Sequence, residues 1–201
     1  MRFFYARAVL PWALLSVPLA ACFEPEVPAS TLTAPAGPTR HFRIEHERCD
    51  DSVGEVRGVD LDGDGTADLQ EVAKDGALAC RSSDLNLDGR PDVFEFFEGG
   101  MLRRRETNLV DAAFITVAET FESGRVALAE YDTSGKRRID TWDHFTAAGK
   151  LDARERDTDG DGKVDEWWSF SPDGEVTVRV DVNADGEPDE VRRPGMGMGG
   201  R

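Results

Sequence analysis

Oxygen-bearing side chains recur at alternating positions in four segments of the 201-residue chain, and each segment starts at an aspartate. In the first segment, Asp60–Glu71, aspartates stand at positions 1, 3, 5 and 9, with glycine at position 6 and glutamate at position 12. Alternate residues of a tight loop can point several oxygens at one centre, and the residue at position 7 adds its backbone carbonyl. The hard cation Ca²⁺ takes six to eight such oxygens at about 2.3–2.6 Å. The spacing therefore predicts four calcium-binding loops.

The candidate ligands occupy positions 1, 3, 5, 7 and 9 of each loop, and position 12 as well in the first two loops. They are Asp60, Asp62, Asp64, Thr66, Asp68 and Glu71; Asp84, Asn86, Asp88, Arg90, Asp92 and Glu95; Asp157, Asp159, Asp161, Lys163 and Asp165; and Asp181, Asn183, Asp185, Glu187 and Asp189. A merely solvated acidic surface would require neither this spacing nor the glycines at position 6.

The four loops belong to a longer internal repeat. Its units begin at Asp60, Asp84, Asn108, Asp132, Asp157 and Asp181. The intervals between these residues are 24, 24, 24, 25 and 24 residues. Four of the units carry phenylalanine near position 14, and a glycine follows near position 17. Because units of this length cannot bury their aromatic side chains alone, we expect neighbouring units to stack and share a core.

Two units depart from the loop pattern. The fourth keeps the acids Asp132 and Asp140 but places Lys136 at a ligand position. We expect the Lys136 ammonium to pair with the remaining acids in place of a metal ion. The third unit, from Asn108, has lost nearly every ligand and is interpreted as a spacer that keeps the geometry.

The loops resemble EF-hand loops, but their flanks do not. Position 12 is Glu71 or Glu95 in the first two loops, whereas Trp168 and Arg192 occupy it in the last two. Position 9 is aspartate in all four. In this respect the segments resemble thrombospondin type 3 repeats and integrin-type β-hairpin calcium loops. That resemblance implies ligands at positions 1, 3, 5, 7 and 9.

The residues after each loop favour strands over helices. Ser171–Gly174 carries a hairpin-turn signature shortly after the fifth unit's loop. Beyond it, Val176, Val178 and Val180 alternate on one face of an extended segment. We therefore predict an all-β fold, a tandem array of antiparallel β-hairpin repeats of about 24 residues joined by calcium-binding loops.

This repeat domain is expected to span residues 41–192. An upstream hairpin would use His41–Glu47 and Glu55–Val59. Cys49 and Cys80 are expected to form a disulfide that joins this hairpin to the first repeat, since an exported protein folds in an oxidising compartment. Two free buried thiols are the alternative.

The first 40 residues have the composition of a targeting and tethering segment. Residues 1–21 are predicted to be a secretory signal peptide, with arginines followed by a short apolar run. Leu19–Cys22 resembles the bacterial lipobox, which implies cleavage before Cys22 and acylation of that cysteine with chains such as palmitate. The residue after Cys22 is Phe23. An aspartate there would retain a lipoprotein at the inner membrane, so Phe23 implies export to the outer membrane.

Residues 22–40 are proline-rich and are predicted to form a disordered tether. Residues 193–201 are predicted to form a disordered Gly/Met-rich tail.

The acidic balance limits the choice of function. A formal net charge of −16 argues against nucleic acid as a partner because its phosphates would be repelled. The chain lacks the common catalytic motifs, so we expect no enzyme. The sequence favours a lipid-anchored calcium-binding repeat protein with a structural, adhesive or scaffold role at the bacterial cell envelope. Its partners would be the membrane, calcium ions and a protein or cell surface. The alternatives are an EF-hand-type calcium buffer or sensor and a dockerin-like docking module.

Overall fold

Twelve strands form one open antiparallel sheet in the computed structural model, which describes residues 42–108 and 114–194. Each strand pairs with the next along the chain, so their order across the sheet is their order in the sequence. The strands are β1 (Glu55–Val59), β2 (Leu69–Lys74), β3 (Ala77–Ser83), β4 (Val93–Glu98), β5 (Met101–Thr107), β6 (Val117–Glu122), β7 (Arg125–Tyr131), β8 (Thr141–Phe145), β9 (Leu151–Arg156), β10 (Glu166–Phe170), β11 (Val176–Val180) and β12 (Glu190–Arg192). The predicted all-β fold built from hairpins is confirmed.

Tight turns join the strands at one end of the sheet. The β2–β3 turn uses Asp75 at φ 53° and Gly76 at φ 80°. Positive φ at both central residues makes a turn whose twist matches that of the flanking strands. The β4–β5 and β6–β7 turns also have positive φ at both central residues. Longer turns close β8–β9 and β10–β11, and the second of these lies between Ser171 and Glu175.

Four of the hairpins contain a bulge on their second strand, at Ala79, Arg103, Ala127 and Asp152. The register shifts after Val72, Phe96, Thr120 and His144. A bulge places two residues opposite one and strengthens the local twist. The repeated phenylalanine therefore lies opposite the bulge. Phe97 and Phe121 are half-buried against the arginines Arg81 and Arg105, with 5.9 and 5.6 Å from ring centroid to guanidinium carbon.

The core lies on the opposite face and consists of two clusters. The larger contains Ile139, Trp142, Val164 and Trp167, with exposed fractions between 1% and 8%. The smaller contains Val72, Cys80 and Phe96. The aromatic side chains of the core shared between units therefore come from positions other than that of the repeated phenylalanine.

Residues 42–50 contain no strand, which corrects the predicted hairpin of His41–Glu47 with Glu55–Val59. The partner of β1 is β2, and residues 42–50 instead run across the sheet over the core clusters. We call this segment the strap. Its first residue, Phe42, accepts a hydrogen bond through its carbonyl from the N–H of Ile139 at 2.9 Å. Near its other end Cys49 is disulfide-bonded to Cys80 of β3, with 5.9 Å between Cα atoms.

Several predictions fall on residues beyond this description. The signal peptide 1–21, the tether 22–40 with Cys22, and His41 lie outside the described residues. Of the tail 193–201, the first two residues are described and follow the last strand without regular structure. In the part of the chain that the structure covers, no helix is long and apolar enough to span a membrane.

Candidate metal centres

The acidic loops connect the hairpins at the end of the sheet opposite the tight turns. Backbone hydrogen bonds tie each loop to the next, from the N–H at position 1 to the carbonyl at position 9 of the preceding loop. Examples are Asp84 to Asp68 at 2.7 Å and Asp181 to Asp165 at 2.9 Å. The loops therefore stand side by side along one end of the sheet.

Within each loop the aspartate at position 1 organises the backbone. The two Asp60 carboxylate oxygens accept the N–H groups of Gly63 at 2.6 Å and Gly65 at 3.0 Å. Asp157 accepts from the equivalent residues Gly160 and Gly162 at 2.6 and 2.9 Å, and Asp84 and Asp181 bind the same two positions of their loops. Position 6 needs φ of 92° and 97° in the first and fifth units, which is why glycine stands there.

The aspartate at position 9 closes the loop from the other side. Asp68 Oδ2 accepts the N–H of Leu61 at 2.5 Å, and Asp165 Oδ2 accepts that of Thr158 at 2.5 Å. Asp92 and Asp189 likewise accept the N–H of the residue at position 2 of their loops.

The side chains at position 3 accept from the N–H at position 5, and the side chains at position 5 accept from the N–H at position 7. These are Asp62, Asn86, Asp159 and Asn183 for position 3, and Asp64, Asp88, Asp161 and Asp185 for position 5, with Thr66, Arg90, Lys163 and Glu187 donating from position 7.

Two loops bring three carboxylates together. Ligand oxygens of Asp60, Asp62 and Asp68 all lie within 4.8 Å of one another, and so do those of Asp157, Asp159 and Asp165. Asp68 is 4% exposed, and Asp157 and Asp165 are 5% and 8% exposed. Carboxylates this close repel one another, by about 3 kcal/mol for a pair 5 Å apart at an effective dielectric of 20. These clusters could therefore hold a metal ion.

The second and sixth loops share the geometry but have an amide at position 3. Asn86 donates through Nδ2 to Asp88 at 3.2 Å, and Asn183 donates to Asp189 at 3.2 Å. An amide oxygen is also a hard ligand, but it carries no charge. These two loops therefore offer one carboxylate fewer at positions 1, 3 and 9.

The two glutamates at position 12 do not join these clusters. Glu71 lies on β2 and accepts from Arg81 at 2.8 Å, and Glu95 lies on β4 and accepts from the same guanidinium at 3.3 Å. The hydrogen bond to Glu71, and to a lesser extent the one to Glu95, raises the pKa of Arg81, whereas burial lowers it. The interstrand contacts engage Glu71 and Glu95 away from the loop centres, although the sequence predicted both as ligands.

The ion pairs of Arg81 belong to a row of alternating charges across the face opposite the strap. Cross-strand partners place Arg57, Glu71, Arg81, Glu95, Arg105 and Glu119 in succession on β1 to β6. Arg105 donates to Glu119 at 2.6 Å, and on β8 and β9 Asp143 accepts two hydrogen bonds from Arg154 at 2.6 and 2.7 Å. Opposite charges directly across strands stabilise a sheet. The row therefore gives acidic residues outside loop positions 1 to 9 a structural role in the sheet.

Hydrogen bonds favour the charged form of several loop acids. The N–H groups of Gly63 and Gly65 lower the pKa of Asp60. Burial raises the pKa of Asp181, but the N–H groups of Gly186, Ala184, Asn183 and Asp185 together outweigh it, and the net shift is downward. The balance at Asp84 has the same sign. At Asp60, Asp84 and Asp181 the loop backbone therefore favours the carboxylate form that metals require.

The fourth unit's acids are held by neutral donors. Asp132 accepts the N–H groups of Lys136 and Arg137 at 3.1 and 2.6 Å. Asp140 accepts from the Thr133 hydroxyl at 2.7 Å and from the N–H of Ser134 at 2.9 Å. Lys136 therefore contacts Asp132 through its backbone N–H, whereas the sequence predicts that its ammonium pairs with these acids.

Two cations at position 7 reach the next loop, a role that the sequence did not predict. Arg138 donates to the Gly160 carbonyl at 2.5 Å and lies 3.5 Å from Asp157 Oδ2. Lys163 donates through Nζ to the Ala184 carbonyl at 2.8 Å. In both cases the acceptor is position 4 of the next loop. The signal available in the sequence was the basic residue at position 7 of three units.

Comparisons with known proteins identify no family. No family model and no curated protein matches the chain. Among solved structures it is similar to accessory secretory protein 1, 2 and 3 of Streptococcus pneumoniae, with 19% identity over 68% of this chain and 20% of that one, and a TM-score of 0.32. It is also similar to a GtfA/B complex bound to UDP and GlcNAc, with 10% identity over 63% of this chain and 24% of that one, and a TM-score of 0.36. The chain spans about a fifth to a quarter of the length of these structures.

Proposed function

We propose that the protein is a lipid-anchored, calcium-binding repeat protein with a structural, adhesive or scaffold role at the bacterial cell envelope. The observation that carries the proposal is the pair of carboxylate clusters, Asp60/Asp62/Asp68 and Asp157/Asp159/Asp165, set in loops of the same internal geometry. The fold supports a structural role because the loops are also the connections between hairpins.

Calcium is the ion that suits this donor set. Carboxylate, amide and carbonyl oxygens are hard ligands, and the loops supply them without histidine or cysteine. With Glu71 and Glu95 engaged by Arg81, the protein's ligands come from positions 1, 3, 5, 7 and 9. Loss of a bidentate glutamate favours the weaker extracellular class of site, with Kd of roughly 10⁻⁴–10⁻³ M.

The expected consequence of binding is a stiffer sheet. Calcium would neutralise acids that otherwise repel one another, and each loop is hydrogen-bonded to its neighbour. A sensor would instead release an apolar groove, and a dockerin-like module would require paired helices. Residues 42–108 and 114–194 contain one short 3₁₀-helix, Asp51–Val53, and no α-helix. The proposed anchor is the acylated Cys22, with outer-membrane attachment, and the presented surface is the loop-bearing sheet.

Calorimetric titration of the EDTA-stripped protein tests calcium binding, with thermal unfolding as a second measurement. The informative variant is Asp64→Lys combined with Asp161→Lys, because it gives both clusters the lysine that the fourth unit carries at the same position. We expect the wild type to bind calcium and gain melting temperature, and the double variant to lose at least two sites. Asp152→Asn, an exposed acid on β9 away from the loops, is the matched control and should bind as the wild type does. Wild-type protein that neither binds calcium nor gains melting temperature would refute the proposal.

A further inference from the structure

The strap meets one of the two carboxylate clusters. A Cβ placed on Gly162, at position 6 of the Asp157 loop, would lie 3.2 Å from the Phe42 ring. That ring therefore rests on the sharp turn of the loop. The Phe42 carbonyl is fixed at the same time by the N–H of Ile139 at 2.9 Å.

Arg138 connects the strap with the ligand set of this loop. Its guanidinium carbon lies 5.6 Å from the centroid of the Phe42 ring, at a distance typical of cation–π contact. The same guanidinium lies 3.5 Å from Asp157 and donates to the carbonyl of Gly160. A change in the position of either Phe42 or the loop therefore alters the contacts of Arg138.

The core provides a second connection. Ile44 of the strap packs against the cluster that contains Ile139 and Val164. Val164 directly precedes Asp165, the position-9 acid of the loop, and is 3% exposed. Because packed interiors adjust little, the seating of Ile44 and the position of Asp165 are mechanically linked.

The far end of the strap is held independently of any loop. Cys49 is bonded to Cys80, and the fully buried Glu106 accepts from the N–H of Glu47 at 3.1 Å and from Arg104 at 2.6 Å. His46 Nδ1 lies 2.7 Å from the same carboxylate. Only the first residues of the strap therefore depend on the Asp157 loop.

We infer that calcium in the Asp157 loop and docking of the strap's first residues are coupled, so that the ion controls where the preceding chain is attached to the sheet. The inference rests on the proposed calcium function. Calcium favours the closed loop, and Phe42 packs only on that form, so each should strengthen the other. The coupling must be reciprocal, because it is a free energy shared by two equilibria.

Exchange of the Ile139 amide, followed by NMR, reports docking because this N–H donates to Phe42 across the strap contact. We expect calcium to slow its exchange about fivefold or more in the wild type. The same slowing is expected in Asp64→Lys, which alters the Asp60 loop, whereas Asp161→Lys should abolish it. Equal slowing in Asp161→Lys, or none in a wild type that binds calcium by calorimetry, would overturn the coupling while leaving the proposed function intact. A wild type that binds no calcium would overturn both.

The reciprocal measurement uses Phe42→Ala. Because linkage is symmetric, this variant should weaken the Asp157 site by about fivefold or more, while the other sites stay unchanged. Met101→Ala removes an exposed apolar side chain at the start of β5, at the end of the sheet away from the loops, and should leave every affinity as in the wild type. Unchanged calcium affinity in Phe42→Ala would contradict the coupling even if the exchange data agreed with it.

Discussion

The Asp60 and Asp157 loops share their ligand pattern and internal hydrogen bonds but not their surroundings. The Asp60 loop joins β1 and β2 at the edge of the sheet, and position 2 of the loop, Leu61, is 69% exposed. The Asp157 loop joins β9 and β10, and Arg138 and the strap lie against it. The contrast shows that one local motif can serve as an exposed site at the edge and as a site tied to tertiary structure further in.

The difference begins at position 8 of the loops. In the first unit this residue is Ala67, which is exposed, whereas the fourth and fifth units have Ile139 and Val164, both buried in the larger core cluster. An apolar side chain at position 8 anchors the loop to the core. The Asp157 loop is therefore supported by packing from both sides, and the Asp60 loop depends on its own hydrogen bonds.

The largest expected effect comes from shortening Ile139, the apolar side chain that packs from the Asp132 loop into the core. Ile139 is 1% exposed, so Ile139→Ala should destabilise the protein by about 2–5 kcal/mol, through lost transfer free energy and the cavity left behind. Leu61→Ala, which shortens an exposed side chain of the Asp60 loop, should stay within about 0.5 kcal/mol of the wild type. Urea unfolding in EDTA measures both. Similar losses in the two variants would contradict the difference between the two regions.

A smaller effect should separate the Asp132 loop, whose acids accept from backbone and hydroxyl donors, from both clusters. Burial raises the pKa of Asp140, but its hydrogen bonds from Thr133, Ser134 and Thr141 together lower it more, and the net value lies below the ordinary 3.8. A depressed folded-state pKa means that this stabilisation is complete above pH 3.8 and is lost as pH falls through the folded-state value. In EDTA, Asp140→Asn should therefore show a flatter loss of stability below about pH 4 than the wild type.

Unfolding curves between pH 5 and 2 measure this slope. Asp152→Asn is again a suitable control, because this exposed strand acid lies outside the loops. It should reproduce the wild-type slope. A steeper curve for Asp140→Asn than for the wild type would contradict the assignment of Asp140 as a carboxylate held by hydrogen bonds.

The sequence alone was sufficient to predict antiparallel hairpins and the grouping of loop acids at positions 1, 3 and 9 in two loops, because both follow from short-range periodicity. It was insufficient for Glu71, whose partner Arg81 lies on the next strand, where pairing depends on register and on the bulge at Ala79. The strap was missed for a related reason. An extended segment such as 42–50 looks the same in sequence whether it pairs in a sheet or crosses its face, and only long-range contacts such as that with Ile139 distinguish the two.

The smallest expected effect tests whether the position-7 contact can be transferred between the two regions. Lys163 at position 7 of the Asp157 loop donates to the Ala184 carbonyl at position 4 of the next loop, whereas position 7 of the Asp60 loop is Thr66. Thr66→Lys places the same side chain opposite the Leu87 carbonyl. Since exposed charged contacts contribute little, we expect a gain of about 0.2–1 kcal/mol in unfolding free energy.

Thr66→Met is the matched control, because it supplies a long side chain without the charge. Thr66→Lys should also slightly weaken the proposed calcium binding, since it adds a positive charge beside the loop acids, and high salt should reduce both effects. If Thr66→Lys and Thr66→Met gave the same stability at low salt, the contact of Lys163 would be a consequence of the crowded interior of the sheet. It would then not be a general link between neighbouring loops.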